Sequence, residues 1–542
     1  MLHHILGEIC QTGGMSAQHD HSTGTTSILP RRLGDFLTEN LADDVVGTGD
    51  ALEITAPALS IRLASLPSAT AADVRRAAAH ARDAQEGWAR RPVRERAAIL
   101  LRLHDEIRRN EALILDVIQA ETGKSRLHAY DEILDAYNVC RFVGRSAEDA
   151  LARERRRGAL PMLTSTSVDH LPMGLVGFIT PWNYPVSLGA TDLLAALVAG
   201  NAVVHKPDSQ TVLSAILLRR LAMSAGLPSA VWQLVPGPVD EVGDELLDSV
   251  DGISFTGSTA AGRGIAAAAG HALKPATLEL GGKNPMIVCA DASLDAAVDG
   301  AIRGCFSSTG QLCLSIERIY VAESLYETFC ERFARATAEL RLGFSFDHGH
   351  GVGSLISANH LQRVRTAVDD AVGKGARVLA GGSARPDLGP CFFEPTVLTD
   401  VPSSARLTRE ETFGPVVAVY SVASDDDAVD AANNTPYGLN ASVYSGDRAH
   451  GLAVARRLEA GMVNVNEAFA AAWGSVAAPS GGLKASGLGH RHGREGILEF
   501  TRSRTVAHQS FLPIAPSGRL TPDRFQRIFT GALAAMKAAR LR

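Results

Sequence analysis

From residue 174 onward the chain alternates between short β-prone runs and longer helical ones. That alternation constrains the fold more than any other feature. Leu175–Thr180 reads as a strand, Pro185–Ala199 as a helix, Ala202–Lys206 as a strand and Gln210–Ala225 as a helix. Val231–Val235 and Gly252–Thr256 are further strands. Strands separated by helices pair as βαβ units, which gives a parallel sheet and an α/β fold. A second alternating block runs from about 283 to 480. Its strand candidates are Met286–Val288, Arg318–Val321, Val416–Val419 and Gly461–Asn464.

Upstream the text is helical. Ala71–Arg90 and Val93–Thr122 carry apolar residues at three- and four-residue spacing, and Gly123 is the expected stop. Residues 158–173 turn short and β-prone, which suits a projecting hairpin arm. Residues 1–28 are polar and rich in His, Ser, Thr and Gly, and are expected to form a disordered tail, with no metal site. After a Pro-rich linker, 515–542 is expected to form a basic, Ala-rich amphipathic helix packed on the body.

A chain of 542 residues implies two or three domains. Its 46% apolar and 21% charged residues are ordinary for a soluble globular protein, and its net charge of −6 offers no case for nucleic acid. Seven cysteines, with no CxxC pair, point to a reducing, cytoplasmic setting and to neither disulfides nor zinc. No secretory signal and no transmembrane run is read in the chain.

The chemistry is concentrated in a few motifs. Cys313, in STGQLCLSIER, stands 34 residues after Glu279 in LELGGKNP. A thiol nucleophile and a carboxylate that activates water are what covalent aldehyde oxidation requires. Thr180, Pro181, Trp182 and Asn183 end the first strand, where an Asn amide held in a turn can donate to an oxyanion. Gly257 and Ser258 follow a strand and open a helix, a place where backbone can approach a pyrophosphate. At the end of the second strand, Lys206 offers charge and Ser209 stands where an acid would repel a 2′-phosphate, an arrangement that tolerates or favours NADP. Asp208 keeps NAD in play. Glu411 could hold the nicotinamide ribose, with Phe413 behind the ring.

These segments, PWN, HKPDS, FTGS, LELGGKNP, GQLC and EETFGP, occur in the order and spacing of the aldehyde dehydrogenase superfamily, and roughly residues 50–510 resemble it. The resemblance implies a Rossmann-like cofactor-binding domain (29–157 and 174–281) and an α/β catalytic domain (282–485). It also implies a small β oligomerisation arm (158–173 and 500–510) and a homodimer or homotetramer. By the same resemblance Cys313 is the nucleophile, Glu279 the general base and Asn183 the oxyanion donor. Thr180, Pro181, Trp182, Lys206, Ser209, Gly257, Ser258, Glu411 and Phe413 are then cofactor contacts.

Much of the chain, including NEAFAAAWGS (466–475) and KPDSQT (206–211), resembles actinobacterial members that bear the name NADP-dependent succinate-semialdehyde dehydrogenase. Members that take that substrate usually place an Arg on the helix after PWN and another six residues before the nucleophile. Here those positions are Thr191 and Ser307. The expected substrate funnel is apolar instead: Tyr184 and Leu188 with Thr191 on one helix face, Leu312 and Leu314 beside the thiol, Phe469 and Trp473 over the entrance. Arg491 is the candidate cation. Medium-chain or aromatic aldehydes are the alternative substrates.

Overall fold

The computed structural model describes residues 28–160, 163–510, 513–518 and 520–540. All of the stretch read as a tail except Ile28, including its histidines, lies outside them. A six-stranded sheet runs in the order Gly487–Leu488, Ala276–Glu279, Gly252–Thr256, Leu175–Ile179, Ala202–Lys206, Trp232–Leu234. Its neighbours are parallel except the first pair. A seven-stranded sheet runs Arg377–Ala380, Thr396–Thr399, Val416–Val422, Ile316–Ala322, Asn284–Val288, Asn440–Tyr444, Met462–Val465. It too is parallel except at the Arg377–Ala380 edge.

The central strands are apolar because helices cover both faces. Leu175–Ile179 and Ala202–Lys206 are buried at every position. So is the helix between them, Pro185–Ala199, which starts on a proline and stops at Gly200 with φ 100°. Buried Asn201 then locks the return: its amide donates to Ala196 O at 2.9 Å and Phe500 O at 3.0 Å, and its oxygen accepts Gly174 N at 3.0 Å.

Strand order positions the site. The chain moves from Leu175–Ile179 outward through Ala202–Lys206 to Trp232–Leu234, then crosses back to lay Gly252–Thr256 on the other side. In an open parallel sheet a ligand crevice forms beyond the carboxyl ends of the two strands at which order reverses. Those ends carry Thr180–Asn183 and Thr256–Ser258.

Four local expectations are corrected. The helical run Val93–Thr122 breaks at Asn110 (φ −107°), whose amide caps Glu106 O at 2.9 Å. Gly123 does end the second piece, at φ 72°. The arm sheet has three antiparallel strands, Thr501–Gln509, Thr164–Pro172 and Glu154–Arg157, so it starts four residues before the 158 boundary. Asp169 accounts for this, since it pairs with Arg153 at 2.6 Å and Arg504 at 3.0 Å. Residues 486–499, which the sequence left unassigned, return to the first sheet through Gly487–Leu488. The C-terminal helix spans Pro522–Ala538 with no buried residue, so it does not pack on the body as expected. Among the described residues no helix is long and apolar enough to cross a membrane.

Candidate active site

A left-handed turn presents Cys313. Ser308 (φ 51°), Thr309 (φ 59°) and Gly310 (φ 69°) succeed one another in that region. For a β-branched residue such as Thr309 this costs on the order of 1–3 kcal/mol, and surrounding contacts must enforce it. Thr309 Oγ1 donates to Gly353 O at 3.2 Å, and Gln311 Oε1 accepts Ile356 N at 2.9 Å. A side chain at Gly310 would meet Gly414 O at 2.1 Å, so only glycine lets the turn dock on the 410–415 loop. The Cys313 carbonyl accepts Asn284 Nδ2 at 2.7 Å, and a Cβ on Gly282 would lie 2.9 Å from it. The GGKN and GQLC segments therefore interlock backbone against backbone.

Glu279 is the last residue of the strand Ala276–Glu279. It is buried, and its Oε1 has no hydrogen-bond partner among the described residues. Burial pushes its carboxyl up to about 8; Arg491 opposes the shift, and Asp192 and Glu499 add to it. Burial likewise pushes the Cys313 thiol up to about 12, again opposed by Arg491. Thiol and acid are both protonated at neutral pH in the free chain.

Asn183 is clamped by its neighbours. Its Nδ2 donates to Gln311 O at 3.0 Å, which leaves its second proton for a ligand, and its main-chain oxygen accepts Lys124 Nζ. Lys124 is itself buried, paired with Glu132 at 2.6 Å and lying 3.8 Å from the Tyr184 ring centroid. Glu132 also accepts Val186 N at 2.9 Å at the start of the next helix. An ion pair far upstream in the chain thus fixes the amide.

Two cavities meet at the thiol. The larger, of about 700 Å³, opens over the reversal point of the first sheet. Pro181, Trp182, Asn183, Gly257, Ser258, Glu279, Cys313, Glu411 and Phe413 all line it. The smaller, of about 50 Å³, is lined by Tyr184, Leu188, Leu312, Cys313, Leu314, Phe469 and Trp473, together with Asp131 and Ser187. Only Cys313 and Leu188 border both.

Some expected residues lie elsewhere. Thr180 is buried with Oγ1 2.8 Å from His205 Nε2. Lys206 is buried beside it, and Ser209 Oγ donates to Gly237 O at 3.2 Å; none of the three lines the large cavity. Thr191 turns away from the funnel and donates to Asp135 at 3.2 Å. Arg491 does not reach the funnel either. It is 3% exposed, pairs with Asp192 at 3.1 Å and donates to Thr256 Oγ1. Its charge acts on Glu279 and Cys313, but Arg491 lines neither cavity, and its buried Nε has no hydrogen-bond partner among the described residues.

Three groups at the site escaped sequence reasoning. Glu317 accepts Thr412 N and Phe413 N, each at 2.9 Å, and pairs with Lys283, which holds the 410–415 loop with Phe413 at φ 54°. His360 Nε2 lies 2.7 Å from Phe413 O, and the Trp182 and Phe413 rings meet edge-on at 5.5 Å. Asp131 enters the funnel from a helix whose pattern shows only amphipathicity; burial pushes its carboxyl up to about 6, opposed by Lys124. Each contact joins distant segments, so no local spacing marks it.

The large cavity fits a dinucleotide. Both glycines on the cavity floor are required: a Cβ at Gly281 would meet Glu411 Oε2, which lines the same cavity, at 2.3 Å, and one at Gly257 would strike the Phe255 ring at 2.5 Å. Ser258 caps the helix Thr259–His271 through Ala261 N at 3.3 Å, and the helix N-terminus faces the cavity, which suits a pyrophosphate.

The family model for aldehyde dehydrogenases matches residues 45–506. The chain belongs to the aldehyde dehydrogenase family. A Mycolicibacterium smegmatis relative, provisionally named a succinate-semialdehyde dehydrogenase (NADP+), is 48% identical over 475 residues, covering 88% of this chain and 92% of its own. A 3-sulfolactaldehyde dehydrogenase of Pseudomonas putida is 38% identical, covering 85% and 94%. Among solved structures, a succinate-semialdehyde dehydrogenase from Burkholderia pseudomallei superposes with a TM-score of 0.81 at 35% identity, covering 85% of this chain and 95% of that one. The Staphylococcus aureus betaine aldehyde dehydrogenase bound to NAD+ does so with 0.83 at 30%, covering 89% and 99%. The α/β architecture expected from the resemblance is the family's fold.

Proposed function

We propose that this chain oxidises an aldehyde to its carboxylic acid through a thioester on Cys313, with NADP as hydride acceptor and succinate semialdehyde as substrate. The observation that carries the chemistry is the meeting of the Cys313 thiol, the Asn183 amide and the unpartnered Glu279 carboxyl on one cavity. The aldehyde tail lies in the funnel. The Cys313 thiol releases its proton to solvent through the open large cavity, the thiolate adds to the carbonyl carbon, and the oxyanion is held by Asn183 Nδ2 and the Cys313 N–H. A nicotinamide cofactor held in the large cavity by residues such as Trp182, Gly257, Ser258, Glu411 and Phe413 would supply the hydride acceptor and a positive charge that favours the thiolate. Glu279 then takes a proton from the water that attacks the thioester; the acid leaves and the thiol is restored. Asn183→Ala is expected to lower kcat about 10²–10³-fold with little change in cofactor affinity, as measured by steady-state kinetics and cofactor titration.

The relatives' names support the substrate and the cofactor. The three-stranded arm, with Thr501–Gln509 as an edge strand exposed from Arg502 to His508, supports assembly into a homodimer or homotetramer.

One observation favours a second reading, oxidation of medium-chain or aromatic aldehydes. The funnel is lined by mainly apolar side chains with Ser187 and Asp131, and among the described residues no Lys or Arg lines it. A substrate carboxylate there meets a like charge once the pH exceeds about 6. Initial rates with succinate semialdehyde, hexanal and benzaldehyde, each with NADP and NAD, separate the readings. A kcat/KM at least about tenfold higher for the semialdehyde, ~1.4 kcal/mol in transition-state binding, upholds the first; higher values for the apolar aldehydes uphold the second. Asp131→Asn is expected to raise kcat/KM for the semialdehyde several-fold and leave hexanal unchanged.

A further inference from the structure

Outside the dehydrogenase site, three side chains of metal-binding type converge. Cys289 follows the Asn284–Val288 strand, at the end remote from Asn284 and Cys313. Asp425 opens the helix Asp425–Asn433, and His450 lies in the helix Arg448–Ala455. One ligand atom from each, a sulfur, a carboxylate oxygen and an imidazole nitrogen, lies within 4.8 Å of the others. We propose that Cys289, Asp425 and His450 form a Zn²⁺ site, with Asp291 orienting the imidazole.

The orientation of His450 is the strongest argument. Its Nδ1 lies 3.3 Å from Asp291 Oδ1, and its Nε2 lies 2.6 Å from Asp425 Oδ2. Asp291 is fixed in turn: it accepts Ser445 Oγ at 2.8 Å and Asp447 N at 2.9 Å. A metal-bound histidine usually donates its other N–H to a carboxylate, which sets the tautomer and makes the ligating nitrogen more basic. Asp291 occupies that position, which leaves Nε2 directed at the Cys289 and Asp425 side.

The donor set selects the metal. One sulfur, one nitrogen and one oxygen suit zinc with water in a fourth place, whereas magnesium and calcium take oxygen ligands. Zinc bonds of about 2.0–2.3 Å would need Asp425 to retreat by a fraction of an ångström from its hydrogen bond to His450. Its side chain is 35% exposed and stands in the first turn of its helix, so it has room to do so. Charge closes as well. Zn²⁺ displaces the thiol proton and the proton shared between His450 and Asp425, and one thiolate and one carboxylate then balance its two positive charges. The ion would tie together the loop after the strand and the two helices, which already share an apolar cluster with Cys289. The absence of a CxxC pair hides such a site from the sequence, because its ligands come from three separated segments.

Cobalt(II) is the probe, added to the full chain carrying Cys313→Ser so that the reactive thiol cannot contribute. One equivalent should produce a thiolate-to-cobalt charge-transfer band and the intense visible bands of a four-coordinate ion, both bleached by zinc. Cys289→Ser and His450→Gln should each abolish the thiolate band. Asp291→Asn should keep it and weaken binding about 10–100-fold, as loss of an orienting partner does. His450 is partly exposed, so its substitution reports even where Cys289→Ser loosens the core. The proposal is overturned by absence of a thiolate band, or by a band that survives either ligand substitution; the latter would place the ion elsewhere, for instance at Cys10.

Discussion

Replacing Cys313 with alanine is expected to lower aldehyde oxidation by a factor on the order of 10⁴ or more while NADP binding stays intact. The asymmetry follows from where the residue sits. Cys313 borders both cavities, yet the glycine floors, the helix cap at Ser258 and the Trp182–Phe413 pair that would hold a dinucleotide do not depend on its sulfur. The turn that presents it is set by Thr309, Gly310 and Gln311, which the substitution leaves in place. Kinetics on the variant, together with a fluorescence titration of NADPH, decide the matter. Retained turnover would sink the thioester mechanism. Lost turnover together with lost cofactor binding would mean that the turn had collapsed.

Substituting Glu279 by glutamine separates the two halves of the reaction. Hydride transfer needs the thiol, and release of the acid needs a base for water. The variant should therefore give a burst of NADPH close to one equivalent per active site, followed by turnover slowed about 10²–10⁴-fold. The pH dependence of the native protein should agree. The carboxyl is held up to about 8 by burial, and a base works only when deprotonated. Steady-state rates limited by hydrolysis should climb as pH rises from 6 towards 8 and level off above. The climb should vanish in Glu279→Gln. A flat profile in the native protein, or a variant without a burst, would assign the base to another group.

How much of this was legible beforehand depended on whether a feature was local. Pro185–Ala199, Ala202–Lys206 and Gly252–Thr256 have the bounds read from the chain. Their stops are written locally, in a proline at the first helical position, Gly200 after the last and uninterrupted apolar runs between. The site motifs were legible for a related reason, since glycines at 257, 281 and 310 answer to close approaches, of the Phe255 ring, the Glu411 carboxylate and the Gly414 carbonyl, that a Cβ would block. What escaped was non-local. Arg491 lies between two histidines in a glycine-flanked basic run at 489–493, and nothing in that run announces that the side chain will be buried against Asp192 and Thr256. Asp131 looks like one more polar residue on an amphipathic helix, and only the fold turns it into the funnel. The break at Asn110 was missed because helical spacing continues on both sides of it.

The return of residues 486–499 to the first sheet also bears on the timing of synthesis. Glu279 and Cys313 leave the ribosome with more than a third of the chain still to come, but the strand that covers Glu279, Gly487–Leu488, and the guanidinium beside it arrive near the end. Until then Ala276–Glu279 is the open border of its sheet, and the thiol lacks the neighbour that draws its proton affinity down. A nascent chain therefore has its nucleophile in place before it has the means to use it.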